Sequence, residues 1–478
     1  MPVNRKQQLL AKIETSEGTS ASPAGSDAIL VFDPALSDTI DVLDRVPSGA
    51  SLSRDFAPVG RQTRTVTFRS DFRGSGDASL SGGIDAPDWQ KLLFSCGYRA
   101  GTMQSVVLGA VTGIGFQLGE IVTQSSGTIR GVVVGIYNSA GSLTPIHIAT
   151  ASANVLVVAN VTGTFTAAAT AGASSGSTST ASAVSAVPGI LCQPTSTKSI
   201  AVTAASWSGT APAAGAVVTI ESPAGTPVGA MQLLVDNGST MVDFSASLLY
   251  GTALATYTLR AADGTSTTTI TTAAQSLTPS LTIRHNLDGR QRDLLGARGD
   301  FTLEGEVGQP MQFSWTFSGD IGTTVDAAAV TTSGLSTVRP PRLLGAFCTY
   351  GYGSGIHRIP TKRVSFAQGN TVNPNLDANR AGGATGSNIT DRDPAFTVTV
   401  DAIHGGFDWE AIRNSGQTMR VGFVLGTTAG NVMTIVAPVC QVTEVQLGDS
   451  DGIATFDVTI RPRRINESGD DEIYFTQI

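Results

Sequence analysis

Charge is scarce in the middle of this 478-residue chain, which carries 30 Lys and Arg and 38 Asp and Glu in all. Residues 101–280 hold only eight of these charged side chains: Glu120, Arg130, Lys198, Glu221, Asp236, Asp243, Arg260 and Asp263. A change of composition this sharp is typical of a foreign block set into another domain. We therefore interpret the two flanks, 1–100 and 281–478, as one domain that the block interrupts.

Aromatic residues and cysteines are also few. Aromatics make up 6% of the chain, against 54 glycines, which favours short strands and turns over long helices. The four cysteines, Cys96, Cys192, Cys348 and Cys440, form no CxxC pair and no Cys/His ligand spacing. We therefore predict buried free thiols and no zinc site.

Long apolar runs are missing as well. None approaches the roughly 18 residues that a membrane-spanning helix needs, and residues 1–13 lack the apolar stretch of a signal peptide. We expect synthesis and folding in a cytoplasm, without membrane contact. The net charge of −8 argues against a protein that grips nucleic-acid phosphates, although it is compatible with one past which DNA slides.

Motifs that carry chemistry are not found. Residues 172–176 fit the GxSxG pattern but lie in low-complexity sequence, and no GK[ST] follows the glycines at 351–355. Residues 449–452 lack the glutamate that ends a calcium loop, so we predict a surface turn. Carboxylates at 391–410 alternate with arginines, which favours ion pairs, and the four histidines are far apart. We predict no catalytic residue, no cofactor and no metal site, and hence no enzyme.

Alternation of apolar and polar residues predicts strands in both flanks. Residues 61–73 alternate around Val66 and Phe68, and residues 301–306 and 311–318 do the same with a glycine and proline turn between them. Further strands are predicted at 395–401, 420–425, 431–437 and 455–462. Helices are predicted at 4–12 and at 88–97, where Pro87 and Gly97 supply start and stop signals.

The charge-poor block has an organisation of its own. Phe116 and the Ser-Ser-Gly at 125–127 recur 49 residues later as Phe165 and the Ser-Ser-Gly at 174–176. This repetition indicates a duplicated small β module. Residues 167–187 are nearly pure Ala, Ser, Thr and Gly and are interpreted as a linker. Residues 216–220, 231–236 and 255–261 are predicted strands of a second module.

The flanks carry an ordered series of motifs that is similar to one known family. The series comprises 12–19 (KIETSEGT) with Pro23, Ala28 and Leu30; Phe68, 74–76, Pro87, 92–93 and 96–97; 279–302 leading into 308–319; 369–372; and 389–394. In this order it resembles the tail tube proteins, which are the major tail proteins of long-tailed bacteriophages. The charge-poor block is a departure that resembles the decorating insertions of some tail proteins.

The resemblance implies a mainly β fold: an antiparallel β-sandwich or barrel core with one or two short helices, interrupted by small all-β insertion modules. The expected organisation is 1–100, first core segment; 101–190, inserted decoration module with an internal repeat; 191–278, second inserted all-β, immunoglobulin-like module; and 279–478, second core segment.

The resemblance also implies a virion structural protein that forms hexameric rings stacked into a tail tube. Its expected partners are further copies of the chain and the tape-measure, tail terminator and distal tail proteins. Viral double-stranded DNA would pass through the channel during ejection without specific binding. The inserted modules would face outward, in a position to contact a host surface.

Candidate channel-lining residues are those on the polar side of the clearest strands: Glu304, Glu306, Gln312, Ser314 and Thr316. A neutral or acidic lining would let DNA slide, whereas a basic one would hold it. Alternatively, these side chains simply face the outer solvent. The alternative function is a surface or virion-fibre β-sandwich adhesin that binds a host glycan or receptor. A hydrolase would need a triad that the sequence does not offer.

Overall fold

The computed structural model describes residues 6–15, 17–44, 56–77, 86–124, 127–139, 142–186, 190–195, 198–201, 217–221, 227–232, 241–244, 256–261, 267–271, 278–333, 335–402, 407–466 and 469–478. Strands make up 59% of the chain, and two short helices accompany them in the described part. The predicted mainly β, antiparallel fold is confirmed. No helix among the described residues is long and apolar enough to cross a membrane.

The first flank contributes five strands and one helix. They are β1 Gln7–Ile13, β2 Ala28–Ile29, β3 Phe32–Val42, β4 Val59–Asp71, α1 Asp88–Ser95 and β5 Tyr98–Ala100, with a 3-10 turn at Gly25–Asp27. The predicted strand at 61–73 and the predicted helix at 88–97 are confirmed by β4 and α1. Pro87 precedes α1, which buries Trp89, Leu92 and Leu93.

The predicted helix at 4–12 is wrong where the structure describes it. Residues from Gln7 onward form β1, which pairs along its whole length with a strand of the second flank. Leu9, Leu10 and Ala11 are buried in succession, because both faces of β1 are covered. Residues 4 and 5 lie outside the described part.

The charge-poor block begins with nine strands. They are β6 Met103–Leu108, β7 Phe116–Gln117, β8 Ile121–Gln124, β9 Ile129–Ser139, β10 Ser142–Pro145, β11 Ile148–Ala149, β12 Val155–Thr162, β13 Ala169–Gly172 and β14 Thr178–Ala186. Six of them pair in the cyclic order β9-β12-β6-β14-β13-β8 and back to β9, which closes a six-stranded barrel. We call residues 103–186 the inserted barrel.

The inserted barrel has two halves in equivalent positions. The β8–β9 pairing is matched by β13–β14, and β9–β12 is matched by β14–β6. The echoed Ser-Gly segments follow β8 in one half and β13 in the other. The interpretation of 167–187 as a linker is wrong, because β13 and β14 are barrel staves whose small side chains alternate between interior and solvent.

One further strand, β15 Ile190–Pro194, follows the inserted barrel and lies in the main sheet between β5 and β34 (Tyr474–Gln477). It pairs with β5, which directly precedes the barrel, so the barrel sits on a two-stranded stem. The predicted module boundary at 190/191 therefore falls inside a strand of the core.

The second insertion is described through its backbone. Its strands are β16 Lys198–Ala201, β17 Val217–Glu221, β18 Pro227–Gln232, β19 Met241–Phe244, β20 Thr256–Ala261 and β21 Thr267–Thr271. Four of them form one antiparallel sheet in the order β18-β17-β20-β21. The predicted strands at 216–220 and 255–261 match β17 and β20. The one at 231–236 overlaps β18 at two residues, and its remainder lies outside the described part.

The second flank supplies most of the main sheet. Its elements are β22 Leu281–Leu287, β23 Arg290–Glu306, β24 Gln312–Asp326, β25 Phe347–Tyr352, β26 Gly355–His357, β27 Thr361–Ala367, β28 Asn370–Leu376, β29 Ala384–Arg392, β30 Ala395–Asp401, α2 Trp409–Ser415, β31 Thr418–Leu425, β32 Met433–Ser450, β33 Ile453–Pro462 and β34 Tyr474–Gln477. Every strand predicted here from alternation is present.

The main sheet has 17 strands drawn from both flanks and from β15. Its central order is β3-β4-β24-β23-β27-β30-β33-β32. The first half of β32 also pairs with β31 on one side and β34 on the other. The sheet wraps around one core in which Phe72 of the first flank lies 5.3 Å from Phe313 of the second, ring centroid to ring centroid. The two flanks thus share one sheet and one hydrophobic core.

Candidate functional site

The β23–β24 hairpin positions all five residues predicted to line a channel. Phe301, Leu303, Phe313, Trp315 and Phe317 are buried in the core, so the alternate residues must point away from it. Glu304 stands opposite Gln312 in the register. Glu304, Glu306, Gln312, Ser314 and Thr316 share this outward side, and all but the half-buried Gln312 are exposed.

Neighbouring strands continue the same side. Arg69 of β4 stands opposite Ser314, and Arg363 of β27 stands opposite Glu306. We call this surface the polar face, formed by Thr65, Thr67, Arg69, Asp71, Thr302, Glu304, Glu306, Gln312, Ser314, Thr316, Arg363, Ser365, Thr397, Thr399, Glu444, Gln446, Asp457, Thr459 and Arg461.

The arginines of the polar face are neutralised by carboxylates. Arg363 donates to Glu304 with an Nη2–Oε2 distance of 3.0 Å, Arg69 is paired with Asp33, and Arg461 with Asp393. The hydrogen bond to Asp393 raises the pKa of Arg461 above its ordinary value. The face therefore offers DNA phosphates no cluster of unpaired cations among the residues that the structure describes.

Additional carboxylates tip the balance of this face toward negative charge. Asp71, Glu306, Glu444 and Asp457 lie on it without an ion pair to a described residue. An open depression at the end of the β23–β24 hairpin is lined by acid and base together: Arg69, Glu304, Glu306, Gln309, Gln312 and Arg363. The arrangement is polar, hydroxyl-rich and mildly acidic.

Two strand edges border the polar face. Among described residues β3 pairs only with β4, and residues 443–450 of β32 pair only with β33. Each edge carries large apolar side chains in water: Val42 is 61% exposed, and Leu447 is 74% exposed. Unpaired edges with exposed apolar residues are surfaces on which another strand can add.

A different outward face of the same sheet is covered. On β31, β32, β34 and β15 most side chains that point away from the core are apolar, although the buried Arg420, Thr434 and Thr476 lie among them. The apolar ones are Val424, Val436, Tyr474, Leu191 and, directly after β34, Ile478. With Val432 they form what we call the covered face, because the inserted barrel packs on it and leaves each of them at most 4% exposed.

The remaining sequence motifs have structural roles. Residues 172–176 form the β13–β14 turn, where the buried Glu120 carboxylate accepts a hydrogen bond from Ser174 N at 2.9 Å. Asp449 accepts from Gly452 N in the β32–β33 turn, as the predicted surface turn requires. Asp408 caps α2, and Arg392 forms ion pairs with Asp470 and Glu472. The described residues contain no His, Cys, Asp and Glu group able to hold a metal.

The predicted free thiols are confirmed. Cys96, Cys192 and Cys440 are buried and unpaired, and Cys348 is half-buried. Burial raises the pKa of Cys348 to about 11, so the thiol stays protonated and unreactive at neutral pH.

Sequence reasoning missed most of the polar face and all of the covered face. Strands β30 and β33 were predicted, but nothing in the chain told which strands are neighbours, so Thr397, Asp457 and Arg461 could not be joined to Glu304. The inserted barrel that packs on the covered face did leave a signal: Val132–Val134 and Val155–Ala159 are uninterrupted apolar runs, typical of strands buried on both sides.

No protein-family model matches the sequence, and no curated protein matches it.

Proposed function

We propose that this protein is a virion structural protein: the subunit of a hexameric-ring tail tube of a long-tailed bacteriophage, with the polar face lining the channel for DNA. The proposal depends chiefly on one observation. The polar face is continuous over at least six strands, and each of its arginines is matched by a carboxylate. Such a lining attracts no phosphate backbone and releases no counterions, so DNA can slide past it.

The strand edges support ring closure by further copies of the chain. A sheet that ends in β3 on one side and in 443–450 on the other can continue into a neighbour at both ends. If each of six protomers gives four strands, about 24 strands at roughly 4.8 Å spacing and 40° tilt enclose a barrel about 48 Å across. Such a barrel is wide enough for a DNA duplex after side chains are counted.

The covered face supports the same assignment by exclusion. The inserted barrel occupies the outward side of β31, β32 and β34, which removes that side from contacts between copies. The proposed tail location and the proposed tape-measure, terminator and distal tail partners follow from the tube assignment.

Negative-stain electron microscopy of the purified protein tests the proposal. We expect six-fold rings or tubes with a central channel. Discrete elongated monomers at every concentration would contradict the tube and favour the adhesin instead.

A matched pair of variants then tests the edge. Leu447→Glu places charge on the β32 edge, where the side chain is 74% exposed, so the monomer should remain folded while rings are lost. Leu376→Glu, at a 65% exposed leucine on β28, is the control and should assemble normally. Equal assembly of both variants would remove the β32 edge from the interface.

A further inference from the structure

The contact between the inserted barrel and the main sheet has the character of a protein core. Strands β9 and β12 are buried over Gly131–Tyr137 and Val155–Ala159, although a barrel stave in water would expose every second residue. One hydrophobic cluster contains the barrel interior, the outer sides of these staves, and Val424, Val436 and Ile478 of the main sheet. There is no separate barrel core and interface, because the two are continuous.

Close fit accompanies the burial. Leu118 of the barrel sits over Gly422 of β31: a Cβ at position 422 would come within 2.5 Å of Leu118 Cδ2. In the same way, a Cβ at Gly119 would lie 3.4 Å from Val436 Cγ1. Contacts this close between a glycine backbone and the side chain facing it leave no room for water or for a loosely tethered module.

A buried polar contact fixes the orientation of the inserted barrel on the main sheet. Arg420 of β31 is 6% exposed and donates through Nη2 to Gln117 Oε1 at 2.7 Å. Gln117 in turn donates to the Ser354 carbonyl at 2.8 Å. Burial lowers the pKa of Arg420, and the nearby Glu120 carboxylate of the barrel acts in the opposite direction. A side chain at position 351 would collide with the Arg420 guanidinium, so Gly351 leaves the space that this guanidinium occupies.

We infer that the inserted barrel is an obligate intramolecular partner of the main sheet, which it seals and with which it unfolds as one cooperative unit, rather than a separable decoration. Without it, Val424, Val436 and Ile478 would form an exposed apolar patch and Arg420 would lose Gln117. Excision of the whole block, 103–276, would also take β15 out of the main sheet, where it pairs with β5 and β34. The inference is independent of tube assembly, since it concerns the single chain.

Hydrogen exchange in the full-length chain tests the coupling through Arg420 and Gln117. Arg420→Met lies in the main sheet, yet we expect it to accelerate exchange of β9 and β12 amides in the barrel about tenfold. Gln117→Met should have a similar effect. The double variant should exceed neither single variant by more than about twofold, because both substitutions remove one contact.

Gln124→Met is the matched control. Gln124 is a glutamine of the same barrel, 2% exposed, but its side chain bonds only within the barrel, to Thr166 and Thr170 among others. Its effect should multiply with that of Arg420→Met. Barrel exchange that is unchanged by Arg420→Met, or effects that multiply for Gln117 as they do for Gln124, would overturn the inference. If Arg420→Met does not fold, Val436→Ala provides the same readout through the apolar contact.

Discussion

The main sheet has two outward faces that share strands and a core but differ in what lies against them. On the polar face the outward positions of β4, β24 and β23 carry hydroxyl and charged side chains, such as Thr316 and Glu304, in contact with water. On the covered face the outward positions of β31, β32 and β34 carry Val424, Val436 and Tyr474 under the inserted barrel. Strand pairing alone does not decide which surface faces solvent. The outward residues and the element available to cover them decide it.

The largest effect should separate the two faces directly. Val436→Asp buries a carboxylate inside an apolar cluster at a site with 0% exposure, so we expect a loss of more than about 4 kcal/mol in unfolding free energy, or no folding at all. Ser314→Asp, at an exposed position of the polar face opposite Thr302 and Arg69, should stay within about 0.5 kcal/mol of the parent. Chemical denaturation followed by circular dichroism measures both. Equal tolerance would mean that the covered face is open to water.

A second experiment sharpens the electrostatic side of the comparison. Glu304→Lys combined with Glu306→Lys adds two lysines to the polar face and frees Arg363 from its ion pair with Glu304. With about three phosphate contacts, DNA affinity should appear and fall roughly 40-fold between 50 and 200 mM salt. The control, Asp391→Lys with Glu410→Lys, makes the same change in net charge at exposed positions away from this face. Filter binding or fluorescence anisotropy with a DNA duplex measures both. Similar binding by the control would show that net charge, and not the face, is responsible.

The smallest effect concerns pH at the barrel contact. His147 of the barrel lies 5.6 Å from Phe347 of the main sheet, centroid to centroid, and Arg358 sits over the same ring. Burial, aided by Arg358, lowers the pKa of His147, so the unfolded chain binds the proton more readily than the folded one. Stability from this contact is therefore present above about pH 6.5 and lost as pH falls below it.

His147→Gln should remove that component. The difference in thermal midpoint between the parent and His147→Gln is expected to change between pH 7.5 and pH 5.5, by a few degrees at most. The comparison of variants is needed because Asp471 titrates in the same window. Burial raises its pKa to about 6, so its contribution to the stability of the folded state increases as the pH falls. A difference that is constant with pH would mean that His147 titrates as in the unfolded chain.

Local patterns predicted much of the fold. Alternation around Phe313 and Trp315 correctly predicted β24 and the side of it on which the aromatic residues are buried. Pro87 and Gly97 correctly predicted where α1 begins and ends to within two residues. The predictions that failed share a cause: β1 and the Ala/Ser/Thr-rich β14 have weak local signals and owe their conformation to pairing with β22 and β6. Propensity yields to tertiary pairing in both.

By itself, the sequence determined the fold class, the position of a charge-poor block between two charged flanks, and the five residues that share one side of the β23–β24 hairpin, since each depends on periodicity or composition along a short stretch. Only the tertiary structure decided that Arg69, Arg363 and Arg461 meet carboxylates, that β15 returns to the main sheet, and that the inserted barrel is packed against the core. The physical reason is that ion pairs, sheet order and covered surfaces join residues that are far apart in the chain. Their free energy depends on distance in space, which a linear pattern does not record.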